Sequence, residues 1–120
     1  MHELSIANSI LDIVREHVPP EQLSSVKSIK LKVGDQAGVV VDSLEFSFMA
    51  LTADSPLRSA RLDIEHVPFR IACNSCHVTS SSAGGFALCP QCGSGETEIL
   101  SGMELRVVEI ELLEPALEGS

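Results

Sequence analysis

The residues of this chain best suited to chemistry are its four cysteines, which fall in two C-x2-C pairs, Cys73-Asn74-Ser75-Cys76 and Cys89-Pro90-Gln91-Cys92. Twelve residues separate the pairs, the spacing of two knuckles that meet at one tetrahedral ion. Gly93, directly after the second pair, lets the chain turn sharply and aim amide N–H groups at the sulfurs. Four thiolates favour zinc, with iron in a rubredoxin-like site as the competitor. Such a shell is closed, with no position left for substrate or activated water, so the ion it holds is structural. Paired disulfides would require an oxidising compartment, and two matched pairs do not resemble the single pair that opens a helix in a redox fold. Cys73 to His77 also spells the haem-attachment pattern C-x-x-C-H, but that reading leaves Cys89 and Cys92 unexplained. His77 is therefore read as a polar residue beside the first knuckle.

The amino terminus is a second place for chemistry. Met1-His2-Glu3 gathers an amine, a backbone amide, an imidazole and a carboxylate within a few bonds. Donors of this kind suit Ni(II) or Cu(II) in square-planar or tetragonal geometry. The alternative is that His2 and Glu3 simply open a helix, where a carboxylate favours the positive end of the macrodipole. His17 falls near a helix C-terminus and His66 on an apolar strand face.

Composition narrows the function classes. Eight Lys plus Arg against seventeen Asp plus Glu leave a net charge of −9, which repels a phosphate backbone, and aromatics amount to 3%. The one cluster of cations, Lys27, Lys30 and Lys32, alternates as the solvated face of a strand would. Apolar runs are far shorter than the roughly 18 residues a membrane-spanning helix needs. The opening residues lack the basic start and apolar run of an export signal, so the expected location is the cytoplasm. No phosphate-cradling Gly-rich loop and no Ser/His/Asp order is present, which argues against an enzyme.

The elements that must position these residues follow from periodicity. Leu4, Ala7, Leu11, Val14 and Val18, widened by Ile6, Ile10 and Ile13, predict a first helix that ends at Pro19-Pro20. Residues 26–33 alternate as a half-buried strand that stops at Gly34-Asp35. Asp42 and Glu45 have capping-box spacing ahead of Leu44, Phe48 and Leu51, predicting a second helix over 43–53 with Asp42 as its cap. Residues 61–67 alternate again, and 103–113 form a third strand whose phase changes near Val107, where a bulge would reconcile its two faces. Between them the segment from Cys73 to Glu98 is rich in Ser, Gly and Cys and cannot build a core without a staple. The expectation is an α+β fold: a three-stranded sheet with two helices on one face, plus a small zinc-ribbon insert. Residues 1–68 with 99–120 would form one discontinuous domain and 69–98 the zinc-binding one.

With both sites in view, the chain resembles the HypA/HybF family of hydrogenase nickel incorporation proteins. The residues that carry the resemblance are Met1-His2-Glu3-Leu4-Ser5-Ile6, Val33-Gly34, Leu44 to Phe48, Leu62 to Pro68, the two cysteine knuckles and Gly102-Met103-Glu104-Leu105. The resemblance implies a metallochaperone, not an enzyme, that takes Ni(II) as cargo at its N-terminus and carries a structural Zn(II). Its implied partners are the GTPase HypB and the large subunit of a [NiFe]-hydrogenase, with urease maturation served by some members. It implies His2 as the principal nickel ligand, with Glu3 and the backbone of Met1 and His2 beside it, and Cys73, Cys76, Cys89 and Cys92 as the zinc ligands. Asp42 stands where some members place a further acidic residue near the nickel site, and His77 where Gly is common. The same residues also allow two other readings: a zinc-ribbon interaction module and an iron electron carrier.

Overall fold

The structure, a computed structural model, describes residues 2–81 and 86–113. Met1, an expected nickel ligand, lies outside the described residues.

Helix α1 spans His2–His17. Its buried side chains Ala7, Ile10, Leu11 and Val14, with Val18 just beyond the end, recur every three or four residues and so lie along one face. Leu4, expected in that stripe, is exposed, because the stripe begins one turn later. Pro19 and Pro20 cannot continue the helix, and a short 3-10 turn over Pro20–Ser25 buries Leu23 before strand β1 begins. Strand β1 runs Val26–Gly34 and buries Val26, Ile29, Leu31 and Val33, while Lys30 and Lys32 stay half-exposed on the other face.

Helix α2 covers Val41–Thr52 and buries Leu44, Phe48 and Thr52, one residue per turn. Thr52 is polar but satisfied, since its hydroxyl donates to the Phe48 carbonyl at 2.8 Å. The helix starts two residues before the expected Ser43, and this corrects the role of Asp42. The N-cap is Val40, no side chain of its own caps it, and Asp42 sits inside the first turn. There its charge still faces the positive end of the helix macrodipole.

Strands β2 (Arg61–Val67) and β6 (Leu105–Leu112) flank β1 in a sheet of order β2-β1-β6. The central position of β1 accounts for its deeper burial. The alternation of β2 slips one residue between Ile64 and Glu65, both half-buried, so His66 is exposed rather than set among apolar residues as its spacing suggested. In β6 the half-buried positions Val107 and Ile110 are three apart, so simple alternation is also interrupted there.

A second sheet, unforeseen in the sequence, has order β4-β3-β5 with β3 at Arg70–Cys73, β4 at Thr79–Ser81 and β5 at Thr97–Ser101. All its pairings are antiparallel, with Ile71 opposite both Ser80 and Ile99. The strands are so short that periodicity alone could not mark them.

The chain divides into two compact units. One comprises residues 1–31, 39–64 and 107–120; the other comprises 32–38 and 65–106. The first holds both helices and most of the buried aliphatic side chains. The second buries only Val33, Phe69 and Ile71 besides Cys73 and Cys89 among the hydrophobic residues described. Within this second unit the backbone closes tightly: Gly34 N–H donates to Glu104 O at 2.7 Å and Gln36 N–H to Gly102 O at 2.8 Å. A Cβ on Gly34 would lie 2.1 Å from the Gly102 carbonyl, and Gly102 itself holds φ 108° with Phe69 Cα 2.5 Å from where its Cβ would be. Both positions require glycine.

Candidate metal centre

The two cysteine pairs fold into knuckles of nearly identical backbone. In the first, Cys73 N–H donates to Val78 O and His77 N–H returns to Cys73 O; in the second, Cys89 N–H donates to Ser94 O and Gly93 N–H returns to Cys89 O. Each knuckle turns on a residue in the left-handed region, His77 at φ 64° and Gly93 at φ 76°. That conformation suits glycine and strains a histidine. Amide groups then aim at sulfur: Ser75 and Cys76 N–H both lie 3.3 Å from Cys73 Sγ. Between the knuckles the hydroxyls of Ser75 and Ser94 meet at 3.0 Å. Sequence reasoning missed this bridge, because nothing in the spacing marks those two serines.

The four sulfurs converge to within 4.8 Å of one another. Cys73 Sγ lies 3.6 Å from Cys92 Sγ, and Cys76 Sγ lies 3.6 Å from Cys89 Sγ. A tetrahedral ion with metal–sulfur bonds of about 2.3 Å would set sulfur–sulfur edges near 3.8 Å, so the donor set fits such an ion closely. All four cysteines are free of disulfides. One cysteine of each knuckle, Cys73 and Cys89, is buried, and its partner, Cys76 or Cys92, faces solvent.

The thiols divide electrostatically in the same way. The Cys76 amide, then that of Ser75 against the cost of burial, lowers the Cys73 pKa to about 6. The Cys92 and Gln91 amides lower Cys89 in the second knuckle. For Cys76 the Val78 amide pulls down, but desolvation and the proton shared with its sulfur neighbours outweigh it and push the pKa up to about 12. Cys92 is likewise raised: the Ser94 amide favours its thiolate, whereas the adjacent Cys73 sulfur and desolvation oppose it. A cation at the centre would supply the charge that lets all four ionise together.

The other expected site residues lie in the first unit. His2 opens α1. Glu3 sits in the first turn of that helix, and its Oε2 accepts the Val40 N–H at 3.0 Å. The cap of α2 thus comes from α1, thirty-seven residues away in sequence. No local pattern signals such a bond. Glu3 and Asp42 line one open depression of about 550 Å³, together with Leu4, Ser43 and Phe46. His17 is tied locally, its Nδ1 lying 2.8 Å from the Ile13 carbonyl, and His66 and His77 are exposed. Among the described residues, the cysteine cluster is the one group of His, Cys, Asp or Glu poised to hold a metal ion.

A family model described as hydrogenase/urease nickel incorporation, metallochaperone, HypA matches residues 1–112. A hydrogenase maturation factor HypA from Geobacter metallireducens is 42% identical over 112 residues, covering 93% of this chain and 99% of the relative. One from Azotobacter chroococcum is 38% identical over the same length and coverage. Among solved structures, the solution structure of the Ni metallochaperone HypA from Helicobacter pylori superposes with a TM-score of 0.63 at 22% identity, covering 94% of this chain and 98% of that one. A second solution structure of a HypA protein gives 0.66 at 23% identity, covering 94% and 97%. At these identities the structural likeness speaks for the fold.

Proposed function

We propose that this chain, which belongs to the HypA family of nickel-incorporation metallochaperones acting in hydrogenase maturation, binds Ni(II) at its N-terminus and hands it on, with a zinc ion at Cys73, Cys76, Cys89 and Cys92. Nickel is cargo, and zinc stays resident. The observation that carries the nickel assignment is the convergence of Glu3 and Asp42 on one depression where α1 begins. His2 is the principal ligand, with the backbone of Met1 and His2, Glu3 beside it and Asp42 at its edge. Such a site is open on one side, so an acceptor can take over the ligands one at a time.

Zinc, when bound, closes a tetrahedral shell and crosslinks the knuckles; with four thiolates it has no free position for chemistry. The chain's own contribution is to hold the sulfurs at tetrahedral spacing and to direct amides at them. Nickel-binding function resides in residues 1–68 with 99–120, and zinc-binding function in 69–98. The partners are the GTPase HypB and the large subunit of a [NiFe]-hydrogenase, with urease a second recipient in line with the family description. The place of action is the cytoplasm; no described helix is long and apolar enough to cross a membrane.

Calorimetric titration with elemental analysis tests the reading on untagged protein, on His2→Ala and on a chain extended before Met1. The expected result is one zinc co-purifying with all three and nickel bound by the wild type alone. Equal nickel binding by all three would overturn the terminal site. Iron in place of zinc would overturn the ribbon assignment, and the red colour of the protein would announce it.

A further inference from the structure

The thiols of the centre form two couples that cross between the knuckles. Cys76 and Cys92 face solvent, whereas Cys73 and Cys89 are buried. Each exposed sulfur lies 3.6 Å from the buried sulfur of the other knuckle, Cys76 from Cys89 and Cys92 from Cys73. A solvent-facing thiol with a second thiol in contact is the arrangement in which a sulfur attacked by peroxide is resolved to a disulfide before it is oxidised further. An ion draws four sulfurs together without choosing partners among them, so the choice of partner belongs to the chain.

Two features favour crosswise partners over a bond within either knuckle. Cys73 Sγ faces the amides of Ser75 and Cys76 at 3.3 Å, and the bonds from Cys73 N–H to Val78 O and from His77 N–H to Cys73 O close the turn around it. A bond from Cys73 to Cys76 would have to form inside that tight turn, whereas the knuckles already meet through the hydroxyls of Ser75 and Ser94 at 3.0 Å. Chain entropy points the same way. Cys73 and Cys92 are 19 residues apart and Cys76 and Cys89 are 13 apart, against 3 for Cys73 and Cys76, and the crosslink that closes the longer loop takes more freedom from the unfolded chain.

We infer that this centre is a peroxide-modification site at which Cys76 pairs with Cys89 and Cys92 with Cys73, releasing zinc while keeping the knuckles joined. The inference rests on the zinc reading above. The exposed thiolate attacks one oxygen of hydrogen peroxide; the O–O bond breaks, hydroxide leaves and a sulfenic acid forms. The buried thiolate of the couple then attacks that sulfur, the S–O bond breaks and a second hydroxide leaves. Each couple gives two electrons to one peroxide. Both couples together turn four thiolates and two peroxides into two disulfides and four hydroxides, and the zinc, left without thiolates, departs as Zn(II). The two disulfides tie the same segments that the ion tied, so β3, β4 and β5 keep a staple.

The test treats the full-length, zinc-loaded chain with a few equivalents of hydrogen peroxide and follows zinc release with a colorimetric indicator. Chymotrypsin cleavage after Phe86 and Leu88, without reductant, separates Cys73 and Cys76 from Cys89 and Cys92. Partial reduction with stepwise alkylation then assigns the partners by mass spectrometry. The expected result is one zinc lost per two peroxides, the two knuckle peptides still joined and lighter by four hydrogens, the partners as named, and hydrogen-exchange protection in β3, β4 and β5 retained. Dithiothreitol with added zinc should reverse the change. Disulfides within each knuckle, pairing of Cys73 with Cys89, sulfinic or sulfonic products, zinc retained under peroxide, or protection lost on oxidation would each overturn the inference. A chain without zinc before peroxide is added would count against the zinc reading instead, and the pairing formed in that reduced, metal-free chain then decides the crosswise assignment by itself.

Discussion

His77 holds φ 64° where its counterpart in the second knuckle is Gly93 at φ 76°. A left-handed conformation costs a residue with a Cβ about 1–2 kcal/mol, partly offset by the entropy a glycine would lose on folding. His77→Gly should therefore stabilise the metal-loaded protein by about 0.5–1 kcal/mol, read as slower zinc loss to a chelator and a higher Tm. Unchanged or lower stability would show that the imidazole makes a contact worth more than the strain. The thiols make a prediction of their own. Cys76, with its pKa pushed up to about 12, and Cys92, also raised, keep their protons at neutral pH, while Cys73 at about 6 is mostly ionised. Zinc needs thiolates, so its binding must expel at least the protons of Cys76 and Cys92, and affinity must rise with pH. It should fall more steeply below about pH 6, where Cys73 is protonated too. Calorimetry at pH 7 in buffers of different ionisation enthalpy counts the protons; a heat independent of buffer would contradict the assignment.

At the scale of elements, the first turn of α1 and the start of α2 depend on one another through the bond from Val40 N–H to Glu3. Removing a charged acceptor from a helix start costs about 1 kcal/mol. Glu3→Ala should lower stability by that amount in denaturant titrations, and Glu3→Gln by less, since the amide oxygen still accepts. Should both variants bind nickel as the wild type does, Glu3 is a cap and not a ligand. Asp42, the cap its spacing suggested, instead occupies the first turn, because Val40 takes the N-cap position and finds its partner on another helix. Local spacing marks where a helix begins to within a residue or two. It cannot reveal that the capping group comes from a distant segment.

For the whole molecule, the two units differ in what holds them. The first contains the helices and a core that includes Ile10, Leu11, Val14, Leu44, Phe48 and Leu57. Among its described residues the second has three buried apolar side chains besides two buried cysteines. Binding of a structural zinc is worth about 10–16 kcal/mol in small zinc folds at neutral pH, so its removal should matter chiefly where the core is thin. Chelation should abolish hydrogen-exchange protection in β3, β4 and β5 while protection in α1 and β1 over 26–31 persists. Equal loss in both units would mean that they fold as one. Protection retained in the short strands would mean that zinc is not their staple.

The sequence by itself determined the two helices, the strands β1, β2 and β6 and the metal-binding character of the cysteines. These rest on periodicity and spacing within a few turns of chain, and a C-x2-C pair needs only local backbone to form a knuckle. Only the tertiary structure decided that Glu3 caps α2, that His66 is exposed, that Ser75 meets Ser94 and that Phe46 stands outside the core beside two carboxylates. Each of these joins residues far apart in the chain, or depends on which face of an element its neighbours cover. That information resides in packing, which no window of sequence contains.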